Sequence, residues 1–250
     1  MKRWLYPALL LAVLLGLWQL AASSGFLADV LGVEEFLVPS PAEIASSLWD
    51  NRSILLENAW VTLQEIALGL AFAVAVGLLF AVAMNLSEAV RLASYPLVIA
   101  SQAIPIIVIA PILIIWLGFG MAPKVLVIAL ICFFPITVAT LDGLSSVDRD
   151  AIKLMRTLYA SRWQIFWRVE APAALPSFFS GAKIAAAVAP IGAVFAEWVA
   201  SNQGLGRLIL DYNANYQVAD MFAATAVLTA IAIGFFGLLA LVERHVVTWR

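Results

Sequence analysis

Apolar residues in this chain fall into long uncharged runs separated by polar intervals, and the run lengths predict helices that cross a lipid bilayer. A hydrocarbon layer about 30 Å thick takes about 20 helical residues per crossing. Trp4 to Ala22 forms the first run, a span over about 4–22. Ile66 to Leu86 is uncharged throughout and, with Thr62, Gln64 and Glu65 at its entrance, gives a second span over about 64–86. Leu92 to Pro123 is also uncharged but too long for one straight crossing; Gly118-Phe119-Gly120 and Pro123 supply a turn, which puts the third span at about 95–116. Pro105 and Pro111 lie inside it. Each removes a backbone donor, which predicts a kinked helix lining a pathway where neighbouring groups or water satisfy the freed carbonyls. Spans at about 125–141, 184–199 and 221–242 complete a set of six. The pattern predicts an all-α polytopic membrane protein with one transmembrane domain over residues 1–250.

The intervals are as informative as the runs. The first run follows Met1, Lys2 and Arg3 and precedes Ala21-Ala22-Ser23-Ser24-Gly25, so it is weighed as a cleavable signal peptide. It exceeds the roughly 7 to 15 residues of a signal core, and its expected fate is retention as an anchor. In the polar interval from Ser23 to Asn58, Val38-Pro39-Ser40-Pro41 predicts a short helix with Ser40 as cap and Pro41 in its first turn, lying at the membrane surface. Gly69, Ala73, Gly77 and Ala81 recur every four residues in the second span, a stripe that lets another helix approach closely. Residues 142–183 predict a substantial loop. Within it Asp148 to Leu158 reads as an amphipathic helix, Tyr159-Ala160-Ser161 as a new cap, and Arg162 to Val169 as a short helix with Trp163, Ile165, Phe166 and Trp167, stopped by Pro172. Two readings of this aromatic segment stand side by side: it lies on lipid headgroups, or it binds a partner protein.

Composition and charge narrow the function. The chain is 64% hydrophobic and 12% charged, against about 25% charged in ordinary soluble domains, which excludes a soluble globule. Eleven of its 14 Lys and Arg residues fall on one side of the predicted spans, leaving Arg52, Lys124 and Arg207 on the other. That bias predicts both termini in the cytoplasm. A net charge of −2 supplies no surface for nucleic acid. A single Cys132 and a single His245 exclude a disulfide framework and a Cys/His metal cluster, and there is no phosphate-binding loop and no His near a span centre for acid–base work. No catalytic residue, metal site or cofactor is expected in this chain. Glu197 is the one acid well inside a run, and an intramembrane charge marks a functional position by default; near the end of its span it is also expected to reach water or to cap a neighbouring helix. An autonomous proton-coupled carrier is the alternative class, and only Glu197 approaches what it needs.

The residues resemble a known family. Val169-Glu170-Ala171-Pro172-Ala173-Ala174-Leu175-Pro176, preceded by Ala160-Ser161-Arg162-Trp163 and followed by Gly181, resembles the cytoplasmic loop of permease subunits of bacterial ATP-binding-cassette (ABC) importers. The family pattern runs Glu-Ala-Ala, three residues, Gly, nine residues, Ile-x-Leu-Pro. With its last Pro at Pro172 it puts Lys153, Leu154 and Met155 at the Glu-Ala-Ala positions, Tyr159 at the Gly and Val169 at the Ile. Lys153 reverses a charge and Tyr159 replaces a glycine. Val38-Pro39-Ser40-Pro41, Gln102-Ala103-Ile104-Pro105, Trp116-Leu117-Gly118-Phe119-Gly120 and Ala196-Glu197-Trp198 are similar to the nitrate/sulfonate/taurine permease group. Ala189-Pro190-Ile191-Gly192-Ala193 and Asn213-Ala214-Asn215 look most like its branch for hydroxymethylpyrimidine precursors of thiamine, with riboflavin permeases close by. The resemblance implies a type I, MetI-like permease fold in the bacterial inner membrane. It implies a second permease copy, a cytoplasmic ATPase dimer that binds ATP and Mg, and an external substrate-binding protein. It also implies a docking role for Asp150, Ala151, Lys153, Tyr159, Ala160, Ser161, Trp163, Phe166, Val169, Ala171 and Pro172. Gln102, Pro105 and Glu197 become pathway positions.

Overall fold

The computed structural model describes residues 2–248, apart from the side chains of residues 2–4 and 200. Arg250, counted above among the bases, lies outside them. The described residues are almost entirely helical, as uncharged runs in a bilayer must be to satisfy their own backbone. Two compact units form, one from residues 1–61 with 203–228, the other from 62–202 with 229–250.

In the first unit, α1 (Lys2–Ser23) is followed by α2 (Phe26–Leu31), a 3-10 turn (Glu35–Leu37) and α3 (Pro41–Asp50). Ser40 caps α3 in a reciprocal capping box: Glu43 N–H donates to Ser40 Oγ, and Ser40 N–H donates to Glu43 Oε2 at 2.7 Å. Gln19 Oε1 accepts from Ala42 N–H at 2.9 Å, tying α1 to α3. Asp220 accepts from Ser47 at 2.5 Å and Asn51 at 2.9 Å, fastening α3 to the start of the last helix.

The second unit is the packed one, built from most of α4 (Arg52–Leu86), α5 (Glu88–Ser101), α6 (Ile106–Leu117), α7 (Met121–Ser145), α8 (Arg149–Thr157), α9 (Arg162–Ile165), a π turn (Phe166–Glu170) and α10 (Ala171–Ala200). The last two helices of the chain are α11 (Leu205–Ala214) and α12 (Val218–Val246). The small-residue stripe packs as expected: Ala73 and Ala81 are buried, and a Cβ on Gly69 or Gly77 would stand 2.5 or 3.0 Å from the Cγ2 of Ile128 or Ile136 in α7. Glu65 pairs with Lys124 at the same separation of 59 residues, so α4 and α7 run parallel in one register. Gly143 meets Ser177, Gly181 meets Pro135 and Gly192 meets Ile128, so α10 runs antiparallel to α7.

Three expectations are corrected. The third span is not one kinked helix over 95–116: α5 and α6 meet at 103° across a short break at 102–105. Pro105 has an extended backbone (φ −61°, ψ 121°) and caps α6; a proline cannot donate to the preceding turn and disfavours helix at the residue before it. Because α4 and α7 are parallel, the chain must cross from the end of one to the start of the other, so the broken pair is a span. Tyr95 packs against the cluster that holds Met84 and Leu144 at one end of the unit, and Ile106 and Leu113 pack against the cluster of Ala110, Val127 and Ala196 at the other.

The polar loop is also shorter than 142–183. Helix α7 continues to Ser145 and α10 begins at Ala171, because the charges that made 170–183 look like loop are paired: Lys183 with Glu243 at 2.7 Å, Glu170 with Arg162 at 2.6 Å. Finally, Pro172 does not stop a helix. It sits in the first turn of α10, where Ala171 N–H donates to Phe166 O five residues back, and this wider turn relieves the clash a proline makes with a regular helix.

Candidate functional site

The segment between α7 and α10 is held by local chemistry. Asp148 caps α8 by accepting from Asp150 N–H at 2.9 Å. At the other end Tyr159 N–H donates to Arg156 O and Ala160 N–H to Met155 O, the paired bonds of a Schellman termination. Tyr159 therefore takes the left-handed conformation (φ 58°), which glycine adopts without cost, and its side chain is 97% exposed. This is the position where the family pattern has glycine. Ser161 opens α9 with a second capping box to Gln164.

Three aromatic rings follow. Phe166, 4% exposed, is packed among Ala81, Met84, Leu141, Leu144 and Ala174, while Trp163 stacks on it at 5.4 Å and Trp167 meets it edge-on at 5.2 Å. Trp163 and Trp167 are both more than half exposed. Glu170, buried, accepts from Arg162 at 2.6 Å and from Asn85 Nδ2 at 2.8 Å, and Arg162 also donates to Asn85 O. The loop is thus keyed into the bundle by Phe166 and clamped to the end of α4 by Glu170.

Of the loop residues singled out in the sequence, Asp150, Lys153, Tyr159, Ser161 and Trp163 are exposed; Ala151, Ala160, Val169, Ala171 and Pro172 are half-buried. Lys153 pairs with Asp150 at 2.8 Å. Phe166 does not face outward with them, since its ring anchors the loop. The Glu170 clamp escaped sequence reasoning, because Asn85 is 85 residues distant.

Gln102 and Pro105 lie in the break between α5 and α6, both exposed. Glu197 is elsewhere. It is fully buried and accepts from Thr62 at 2.6 Å, so it does not reach water as expected. Near it Lys124 donates to Glu65 and to Ser201, both at 2.6 Å, making a buried polar knot among α4, α7 and the end of α10. Among the described residues no group of three or more His, Cys, Asp or Glu is placed to hold a metal ion.

Residues 73–248 match the family described as "Binding-protein-dependent transport system inner membrane component". The chain is 36% identical to the formylaminopyrimidine transport permease protein ThiX of Halalkalibacterium halodurans, over 98% of this chain and 96% of that protein. It is 38% identical to the riboflavin transport system permease protein RibX of Chloroflexus aurantiacus, over 100% and 93%. Its fold is similar to a chain of the MetNI methionine ABC transporter solved in inward-facing conformations, with a TM-score of 0.70 over 79% of this chain and 98% of that one, at 18% identity. Among the described residues five long apolar helices and one broken pair, the MetI-like fold and the non-catalytic character of such subunits agree: this chain belongs to the family of binding-protein-dependent transport system inner membrane components, as a non-catalytic, multi-pass permease subunit of an ABC importer.

Proposed function

We propose that this permease carries a small thiamine-precursor pyrimidine across the bacterial inner membrane, as half of a homodimer with both termini in the cytoplasm. The loop over 148–172 docks a cytoplasmic ATPase, two copies of which bind the ATP and Mg that this chain does not, and an external binding protein delivers the solute. The observation that carries the coupling role is the outward pair Trp163 and Trp167 on a segment locked to the bundle through Phe166 and Glu170. A surface that is exposed yet rigidly attached transmits a partner's movement to the helices beneath it. Two alternating states require a partner that binds them differently, and the loop supplies the place for that difference. Similarity to the pyrimidine permease supports the cargo, with sulfonate, taurine, nitrate and riboflavin as the competing solutes.

Co-purification tests the docking. Trp163→Glu is expected to abolish association with the ATPase while membrane insertion stays intact, and undiminished association refutes the assignment. Solute uptake by the reconstituted complex is expected to stop when ATP is withheld; uptake that persists returns the autonomous carrier to first place.

A further inference from the structure

We propose that a groove between α7 and α10 is this subunit's share of the solute pathway, shaped for an uncharged heteroaromatic compound with amide or amino groups, and that Asp142 at its mouth turns anions away. The inference rests on the permease reading and goes beyond it by locating the pathway on this chain and by assigning Asp142 the rejection of anions.

The groove holds about 530 Å³, within the range of small-molecule sites. Phe134 and Val138 of α7 face Val188 and Ile191 of α10 across it, and the only polar side chains in its lining are Gln102 and Asp142. The antiparallel register places Ile191 beside the middle of α7, while Asp142 lies near the α7 terminus that leads into the loop. Gln102 enters from the break in the third span, where residues 102–105 are non-helical and exposed. Backbone in that condition does not face lipid; inside a membrane it is tolerated where protein covers it or where it lines a water-filled space. On this proposal the groove, which Gln102 lines, is that water-filled space.

The chemistry of the lining then selects. Flat apolar walls accept an aromatic ring. The Gln102 amide both donates and accepts, matching the edge of a pyrimidine or a flavin ring. Asp142 is exposed and makes no ion pair among the described residues, and no Lys or Arg lines the groove to offset it. An amino group finds an acceptor there. A sulfonate or nitrate meets a like charge with no counter-charge, the reverse of what a pathway for anions requires.

Site-directed thiol labelling of the full chain in membrane vesicles, with its ATPase and binding protein present, reads this field directly. The chain has one cysteine, the buried Cys132, which serves as the blank. Val138→Cys lies one helical turn from Asp142, about 6 Å away. At that distance in water a unit charge changes a local ion concentration about threefold. A cationic thiosulfonate is therefore expected to react about tenfold faster than an anionic one, after correction for their rates with free cysteine, and Asp142→Asn is expected to bring the ratio towards one. Ile184→Cys on the facing helix gives an independent reading if the first variant is poorly inserted. During ATP-driven turnover, formylaminopyrimidine is expected to slow the labelling and ethanesulfonate at the same concentration to leave it unchanged. Equal reagent rates, a ratio insensitive to Asp142→Asn, no labelling at either position, or protection that is absent or favours the sulfonate overturns the proposal. The importer reading stands or falls separately, on whether uptake needs ATP.

Discussion

Lys124 and Glu65 meet at 2.6 Å with side chains 9% and 0% exposed, and their energetics can be worked from that burial. Removing one member of a buried ion pair strands the other charge and costs about 3–5 kcal/mol, whereas replacing both by apolar groups of similar size is often neutral or better. Lys124→Met alone and Glu65→Leu alone are each expected to lower stability by about 3–5 kcal/mol, more than a hundredfold in the folded-to-unfolded ratio. The double variant is expected to lose clearly less than the sum of the two singles, the remaining cost including the Lys124–Ser201 hydrogen bond it also removes. The exposed pair Lys153 and Asp150, 73% and 81% exposed, sets the scale from the other side: Lys153→Met is expected to change stability by no more than about 0.5 kcal/mol. Reversible unfolding of the purified chain by a graded denaturing detergent, followed by tryptophan fluorescence, measures all four. Single substitutions costing under about 1 kcal/mol, or a double variant whose loss equals the sum of the singles, would show that the pair is solvated or already compensated and would refute the reasoning.

Glycine substitutions separate close packing from mere helix flexibility. Gly69→Ala puts a Cβ 2.5 Å from Ile128 Cγ2 and is expected to destabilise by about 1–3 kcal/mol, while Gly234→Ala, with nothing within 4 Å, is expected to be neutral or stabilising by up to about 1 kcal/mol in the same unfolding measurement. Tyr159→Gly removes a left-handed non-glycine residue and is expected to stabilise the loop by about 1–2 kcal/mol, read as slower amide exchange at the end of α8, while loss of the exposed ring weakens ATPase binding.

What the sequence disclosed was local chemistry. Ser40, Asp148 and Ser161 announce helix starts because a cap is decided by residues two or three positions away, and all three act as caps. The stripe of Gly69, Ala73, Gly77 and Ala81 announces a contact face because its period is that of the helix. Span boundaries were too short for the opposite reason. Glu170 and Lys183 look like loop residues until their partners Asn85 and Glu243 are known, and those lie 85 and 60 residues away. The prolines of the third span warned of a disturbance but not of its size, since a kink and a 103° break draw on the same missing donor. Phe166 reads as part of an aromatic surface with Trp163 and Trp167; only packing against α4 and α7 reveals that it turns the other way.

From Arg162 through the π turn to Ala200 the backbone runs as one nearly unbroken rod, about 58 Å long at 1.5 Å per residue. One end carries the outward tryptophans and the other the Thr62–Glu197 bond, with Ser201 on Lys124 just beyond. If docking at the first end shifts the balance between two arrangements at the second, thermodynamic reciprocity requires the reverse in equal measure: whatever loosens the polar knot alters ATPase affinity by the same factor. The buried ion pair is then as much a dial on partner binding as a brace for the fold.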